Sequence, residues 1–173
     1  MRRGVADATV LIYLAKLGVL DLLDELFDDV LVPETVRREV VDRGREAGYP
    51  DAFAVANATD EYLHVRALSG ETAAHATRLR ERAALGAGES AALALAAAEN
   101  ARCLTDDHAA RKTAETLEVP VGGTIYLLLR ALESGRLSLE EYVGYLEALD
   151  AHGFRMSASL YQRAVEAGED IGE

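Results

Sequence analysis

From Ala91 to Ala98 every side chain is alanine or leucine. A helix that is apolar all round has no face to offer water, so it must be covered on every side. The stretch therefore predicts a central helix, and a domain large enough to wrap it. At 173 residues, half of them apolar, the chain suits one globular domain with a full core rather than two large ones. Three prolines and fourteen glycines exclude a collagen-like or low-complexity chain.

The pattern on either side of this helix alternates short apolar runs with helical spacing. Val5-Ala6 reads as the end of a first strand, and Leu11, Leu14, Ala15, Leu20, Leu23, Leu26 and Phe27 give a helical face interrupted at Gly18. Val30 to Val32 predicts a second strand, and Pro33 suits the first position of a helix reaching about Arg43. Gly44 to Asn57, with two glycines, Pro50 and mixed charge, reads as a loop or mobile lid. Tyr62 to Ala67 alternates as a strand, and Gly70 to Ala84 reads as a polar helix. Beyond the central helix, Arg102 to Thr105 predicts a strand, Asp107 to Leu117 a helix, and Val119 to Val121 a last short strand. Thr124 reads as the cap of a helix over 125–133. Ser138 with Glu141 forms a capping box for the next helix, and Ser157 caps a final one to about Ala167. Such alternation implies an α/β fold with a parallel sheet covered on both faces, its ligand site at the carboxyl ends of the strands.

Charge restricts the partners. Eighteen Lys and Arg face thirty Asp and Glu, a net −12, so the surface as a whole repels polyanions. All basic residues but Lys16 and Lys112 are arginine. The single cysteine, Cys103, lies in an apolar run and reads as a buried thiol of a reducing compartment. No stretch approaches the roughly 18 uninterrupted apolar residues of a membrane span. Asp7 breaks the apolar stretch behind Arg2 and Arg3, so no signal peptide is expected and the chain reads as cytoplasmic.

Five carboxylates occupy places where simple packing does not put them. Asp7 follows the first strand directly; Glu39 flanks the Val36/Val40 stripe of its helix; Glu89 opens the otherwise apolar central helix. Asp106 and Asp107 end one strand and open a helix, so one caps the helix and the other is left to coordinate. Carboxylates packed together repel unless a cation lies between them. Hard oxygen donors without His or Cys geometry point to Mg²⁺ or Mn²⁺, and phosphodiester hydrolysis is the matching chemistry. His64, His75, His108 and His152 share no ligand spacing.

Four segments carry a resemblance. Val5-Ala6-Asp7-Ala8-Thr9-Val10, Pro33-Glu34-Thr35-Val36-Arg37-Arg38-Glu39, Gly86-Ala87-Gly88-Glu89-Ser90 and Leu104-Thr105-Asp106-Asp107 resemble, in order, the motifs of PIN-domain nucleases. Gly123-Thr124 and Gly153-Phe154-Arg155-Met156-Ser157 resemble a VapC-related subgroup of that family. The resemblance implies a three-layer α/β/α PIN-like fold with a short, mostly parallel sheet over 1–135, and additional C-terminal helices over 136–173 packed on the same domain.

It also implies that Asp7, Glu39, Glu89 and Asp106 are the catalytic, metal-binding acids, with Asp107 an alternative or additional ligand and Thr9 and Thr105 supporting them by hydrogen bonds. Mg²⁺ or Mn²⁺ is the expected cofactor. The implied activity is metal-dependent endoribonuclease cleavage, with RNA as substrate guided by arginines among Arg37, Arg38, Arg43, Arg45, Arg78, Arg82 and Arg111. The toxin role in a toxin–antitoxin pair, a small antitoxin protein as partner and a homodimer belong to the same expectation. A PIN-fold RNA- or protein-binding module without nuclease activity is the alternative. A haloacid dehalogenase-like phosphotransferase needs Asp-x-Asp after the first strand, and Thr9 stands at its second position. No glycine-rich phosphate loop followed by Lys is present either.

Overall fold

Five short strands, most of them buried on both faces, set the architecture. The computed structural model describes residues 1–172. Strands β1 (Arg3–Ala6), β2 (Asp29–Pro33), β3 (Leu63–Arg66), β4 (Arg102–Leu104) and β5 (Val121–Gly122) form one parallel sheet in the order β3-β2-β1-β4-β5. Ala6 is registered with Leu104. Successive side chains point to opposite faces. Val5, Leu31 and Cys103 therefore pack on one side, and Ala6, Val30, Val32 and Leu104 on the other.

Helices cover both faces, giving three layers. On the first side lie α6 (Gly70–Arg82), α7 (Ala87–Glu99) and α8 (His108–Thr116). On the second lie α1 (Ala8–Leu17), α2 (Leu22–Leu26), α5 (Pro50–Thr59), α9 (Thr124–Glu133) and α10 (Leu139–Ala151). The central helix of the sequence reading is α7: Gly88 and Ser90 to Ala96 are buried, and only its last turn, Ala97 and Ala98, emerges. Cys103 is fully buried, and burial pushes its thiol pKa up. The C-terminal helices share the main core: Tyr142, Leu146 and Leu149 of α10 and Ala164 of α11 (Ala158–Gly172) belong to the same cluster as Leu11 and Leu14. Among the described residues no helix is long and apolar enough to cross a membrane.

Four expectations about local structure are corrected. Pro33 ends β2, and the helix after it, α3, begins at Glu34 (Glu34–Arg37). That helix passes into a π-helical turn, Arg38–Asp42, and then α4, Arg43–Glu46. The 44–57 stretch is not a lid: Pro50 occupies the first turn of α5, whose Ala52, Val55, Ala56 and Ala58 are buried. A helix is what one apolar face at three- and four-residue spacing favours there. The last strand is Val121–Gly122, two residues later than the spacing suggests. Thr124 is the first helical residue of α9 and does not cap it; Gly123 holds the cap position. The Ser138–Glu141 capping box is present in full, and Ser157 Oγ accepts from Leu160 N at 3.0 Å.

Candidate acidic site

Parallel order reverses between β1 and β4, and a crevice opens outside the carboxyl ends of strands at such a point. Asp7 and Thr105 are the residues that leave these two strands. Asp7 is buried, and its N–H donates to Leu104 O at 2.9 Å. Its side chain caps α1: Oδ1 accepts from Ala8 N at 2.7 Å, and Oδ2 accepts from Thr105 Oγ1 at 2.9 Å. Thr105 Oγ1 in turn accepts from Asp107 N at 3.1 Å. The hydroxyl thus joins the ends of β1 and β4.

Glu39 and Glu89 reach the same place from two helices. Glu39 stands on the π-helical turn, an element that often marks functional positions because it re-aims the side chains it carries. Glu89 lies in the first turn of α7, where unpaired N–H groups favour a carboxylate. The approach of Glu39 to Asp7 depends on Gly88, while the Glu89 carboxylate folds back against Gly86. A Cβ on Gly88 would lie 2.8 Å from Glu39 Oε2 and 3.4 Å from Asp7 Oδ1, so any larger residue would intrude between these two carboxylates.

Electrostatics register this crowding. Burial first, and then the charges of Glu89 and Glu39, push the Asp7 carboxyl from 3.8 up to about 7, against the two hydrogen bonds that hold it down. Partial desolvation and Glu89 also raise Glu39, with Arg43 opposing. Glu39 itself stays exposed at the rim.

The acids at the end of β4 are placed differently. Asp107 is the helix cap of the pair, accepting from Ala110 N at 2.8 Å. Asp106 is turned to α9, where Oδ1 accepts from Thr124 N at 2.7 Å and Oδ2 from Thr124 Oγ1 at 2.6 Å. Desolvation raises Asp106, opposed by Thr124 and by Arg111. Thr124, read from sequence as a cap, is in fact the clamp on Asp106; no local pattern signals a partner eighteen residues away. Thr124→Val removes one donor from a desolvated carboxylate. We expect it to cost about 1–3 kcal/mol, more at pH 8 than at pH 5 because the loss falls on the ionised form, as paired melting curves would show.

The Thr9 side chain does not support the acids as expected; its Oγ1 and the Oγ of Ser90, beside Glu89, are buried without hydrogen-bond partners. Among the described residues no three Asp, Glu, His or Cys side chains are grouped closely enough to hold one ion. The chemistry of the donors nonetheless fits a hard divalent cation: Asp7, Glu39 and Glu89 repel one another, and Gly88 leaves space between the first two. Of the expected RNA-guiding arginines, Arg37 is held by Glu34 at 2.7 Å and Asp42 at 3.1 Å, Arg38 lies 3.7 Å from Glu34, and Arg78 is held by Glu71 at 2.7 Å. Among the described residues Arg43, Arg45, Arg82 and Arg111 form no ion pair.

The family model described as a PIN domain matches residues 3–169. No curated protein matches the chain significantly.

Proposed function

Because the chain belongs to the PIN-domain family, whose fold is of the nuclease type, we propose that it is a Mg²⁺- or Mn²⁺-dependent endoribonuclease hydrolysing RNA phosphodiester bonds. What supports this reading is the approach of Asp7 and Glu39 on either side of Gly88 at the switch point of the sheet, with Asp7 buried and also repelled by Glu89, so that its carboxyl is pushed up to about 7. When bound, a divalent ion supplies a nucleophile from water and neutralises the phosphate. The residues do the rest. Ala8 N and Thr105 hold the Asp7 oxygens in one orientation, and Asp7 must give up its proton for the site to fill. Glu89 presents its charge from the start of a buried helix, and Glu39 reaches in from the open rim. Asp106 and Asp107 complete the acidic set; each oxygen bound by Thr124 or Ala110 keeps a further lone pair. Arg43, Arg45 and Arg111 are the arginines left to meet the RNA backbone.

Hydrolysis of a single-stranded RNA with Mg²⁺ or Mn²⁺, abolished by EDTA and by Glu89→Gln, tests the proposal. Mn²⁺ should also raise the melting temperature, by about 3 kcal/mol of stabilisation at a hundredfold excess over Kd. That shift should grow as pH rises through 7, since the Asp7 proton competes with the ion. Metal-independent cleavage that survives Glu89→Gln, or no thermal shift at millimolar Mn²⁺, would reject the assignment.

The turning of Asp106 and Asp107 toward Thr124 and Ala110 favours a second reading, a PIN-fold module that binds RNA or protein without cleaving. RNA binding without hydrolysis in the same assay decides for it. We further propose a toxin role, with a homodimer held in check in the cytoplasm by a small antitoxin protein. Its support is the motif resemblance, and co-purification of a small protein from a neighbouring reading frame tests it.

A further inference from the structure

Four large apolar side chains are exposed among the described residues: Met1, Tyr49, Phe53 and Ile171. Two of them, Tyr49 at 61 % and Phe53 at 53 %, stand four residues apart at the start of α5, Tyr49 at its N-cap and Phe53 in its first turn. The corner that presents them is tightly made. Tyr49 N donates to Gly44 O at 2.9 Å, and Gly44 lies so near Ala52 that a Cβ would come within 2.8 Å of it.

Tyr49 borders a cavity of about 410 Å³ whose wall includes Glu39, so the cavity is continuous with the acidic site. Lys16 and Arg43 line it as well, with Asp51 the second carboxylate on its wall. The Arg45 guanidinium lies 5.7 Å from the centre of the Phe53 ring. Exposed aromatic rings interleaved with unpaired cations, beside acids that would hold a phosphate-seeking ion, form an arrangement suited to unstacked bases and the backbone between them. A duplex keeps its bases stacked on one another and leaves no free face for these rings.

We propose that Tyr49 and Phe53 form a stacking platform for unpaired bases next to the scissile phosphate. Lys16, Arg43 and Arg45 hold the adjoining phosphates. The platform rests on the nuclease reading, and its test separates the two. Binding of a fluorescent ten-nucleotide single-stranded RNA and of the same sequence as a duplex is measured by anisotropy with Ca²⁺, alongside kcat and KM for the single strand with Mn²⁺. Tyr49→Ala should weaken single-strand binding about 5- to 100-fold and raise KM with kcat held, while Tyr49→Trp restores both. Phe53→Leu, which keeps an apolar group but no ring face, should weaken binding in the same direction. Duplex binding should be weak and unchanged in every variant.

Wild-type single-strand affinity in both Tyr49→Ala and Phe53→Leu overturns the proposal, and so does an equal loss on duplex. A change of oligomeric state on size-exclusion chromatography with unaltered RNA affinity overturns it in favour of a second copy of the chain on this patch. If the wild type binds neither RNA, the platform falls; if it binds single strands through these rings but cleaves none, the platform stands and the nuclease reading falls.

Discussion

Asp7→Asn should lower metal-dependent RNA hydrolysis by about 10²–10³-fold, the several kcal/mol that an ion clamp supplies, and should stabilise the metal-free protein above neutral pH. Both effects have one cause. Asp7 is 2 % exposed and faces Glu39 and Glu89, so its ionised form is disfavoured and its pKa climbs from 3.8 to about 7. A carboxyl whose folded pKa exceeds its unfolded value binds more protons when folded. Its folded state is therefore favoured at low pH, and that advantage is lost as pH rises from about 4 to about 7. Above this window the charged carboxylate imposes its full penalty, and an amide does not. The gain at pH 8 should be about 1–4 kcal/mol, and near pH 4 it should vanish.

Asparagine can keep the acceptor for Ala8 N, and the Thr105 hydroxyl can rotate to accept instead of donate. The cap on α1 thus survives while the charge does not. Thermal melting of both proteins at pH 5 and pH 8 with EDTA measures the stability arm, and cleavage with Mn²⁺ the catalytic one. An unchanged melting temperature at pH 8 would show that the carboxyl is not desolvated. Undiminished cleavage would remove Asp7 from the mechanism.

Tyr142→Ala is expected to cost about 3–5 kcal/mol, in the range of large aromatic truncations in a core. The Tyr142 side chain is fully buried, and its hydroxyl donates to Ala164 O at 2.7 Å, joining α10 to α11. Burial pushes its hydroxyl pKa up to about 12, so it remains a donor across the usable pH range. Truncation leaves both a cavity and an orphaned carbonyl. Tyr142→Phe isolates the second effect and should cost about 1–3 kcal/mol. Urea unfolding gives both numbers, and amide exchange along α11 should quicken in each variant. Unaltered exchange would mean that α11 docks through Val165 and Tyr161 without this bond.

Most of the layer order is legible because it follows from local periodicity. Val5-Ala6, Val30 to Val32 and Arg102 to Leu104 are short apolar runs between helices, and strands too short to pair alone must enter a common sheet. Five parallel strands with helices on both faces result. The stretch around Pro50 reads as a loop or lid because Gly44 and Gly48 dominate its local pattern, although proline at a first turn followed by Ala52, Val55 and Ala56 builds a helix there. The π-helical turn at Arg38–Asp42 was not legible, since a shift of one hydrogen bond leaves the apolar spacing of Val36, Val40 and Val41 almost unchanged.

The amino-acid sequence alone determined that an apolar helix had to be enclosed, that acids would follow strands at the carboxyl edge, and that Asp7, Glu39, Glu89, Asp106 and Asp107 were the unusual ones. These are properties of neighbours in the chain. Only the tertiary structure decided where each carboxylate points. Asp106 and Asp107 are adjacent and chemically alike, yet one binds Thr124 and the other caps α8. That choice depends on a hydroxyl eighteen residues away and on Thr105 joining β4 to Asp7, ninety-eight residues apart. Likewise Gly88 reads as a break in sequence, but between two carboxylates it is the space in which they meet. Partners distant in the chain become neighbours only when the strands pair, and desolvation acts only once the core has closed around them.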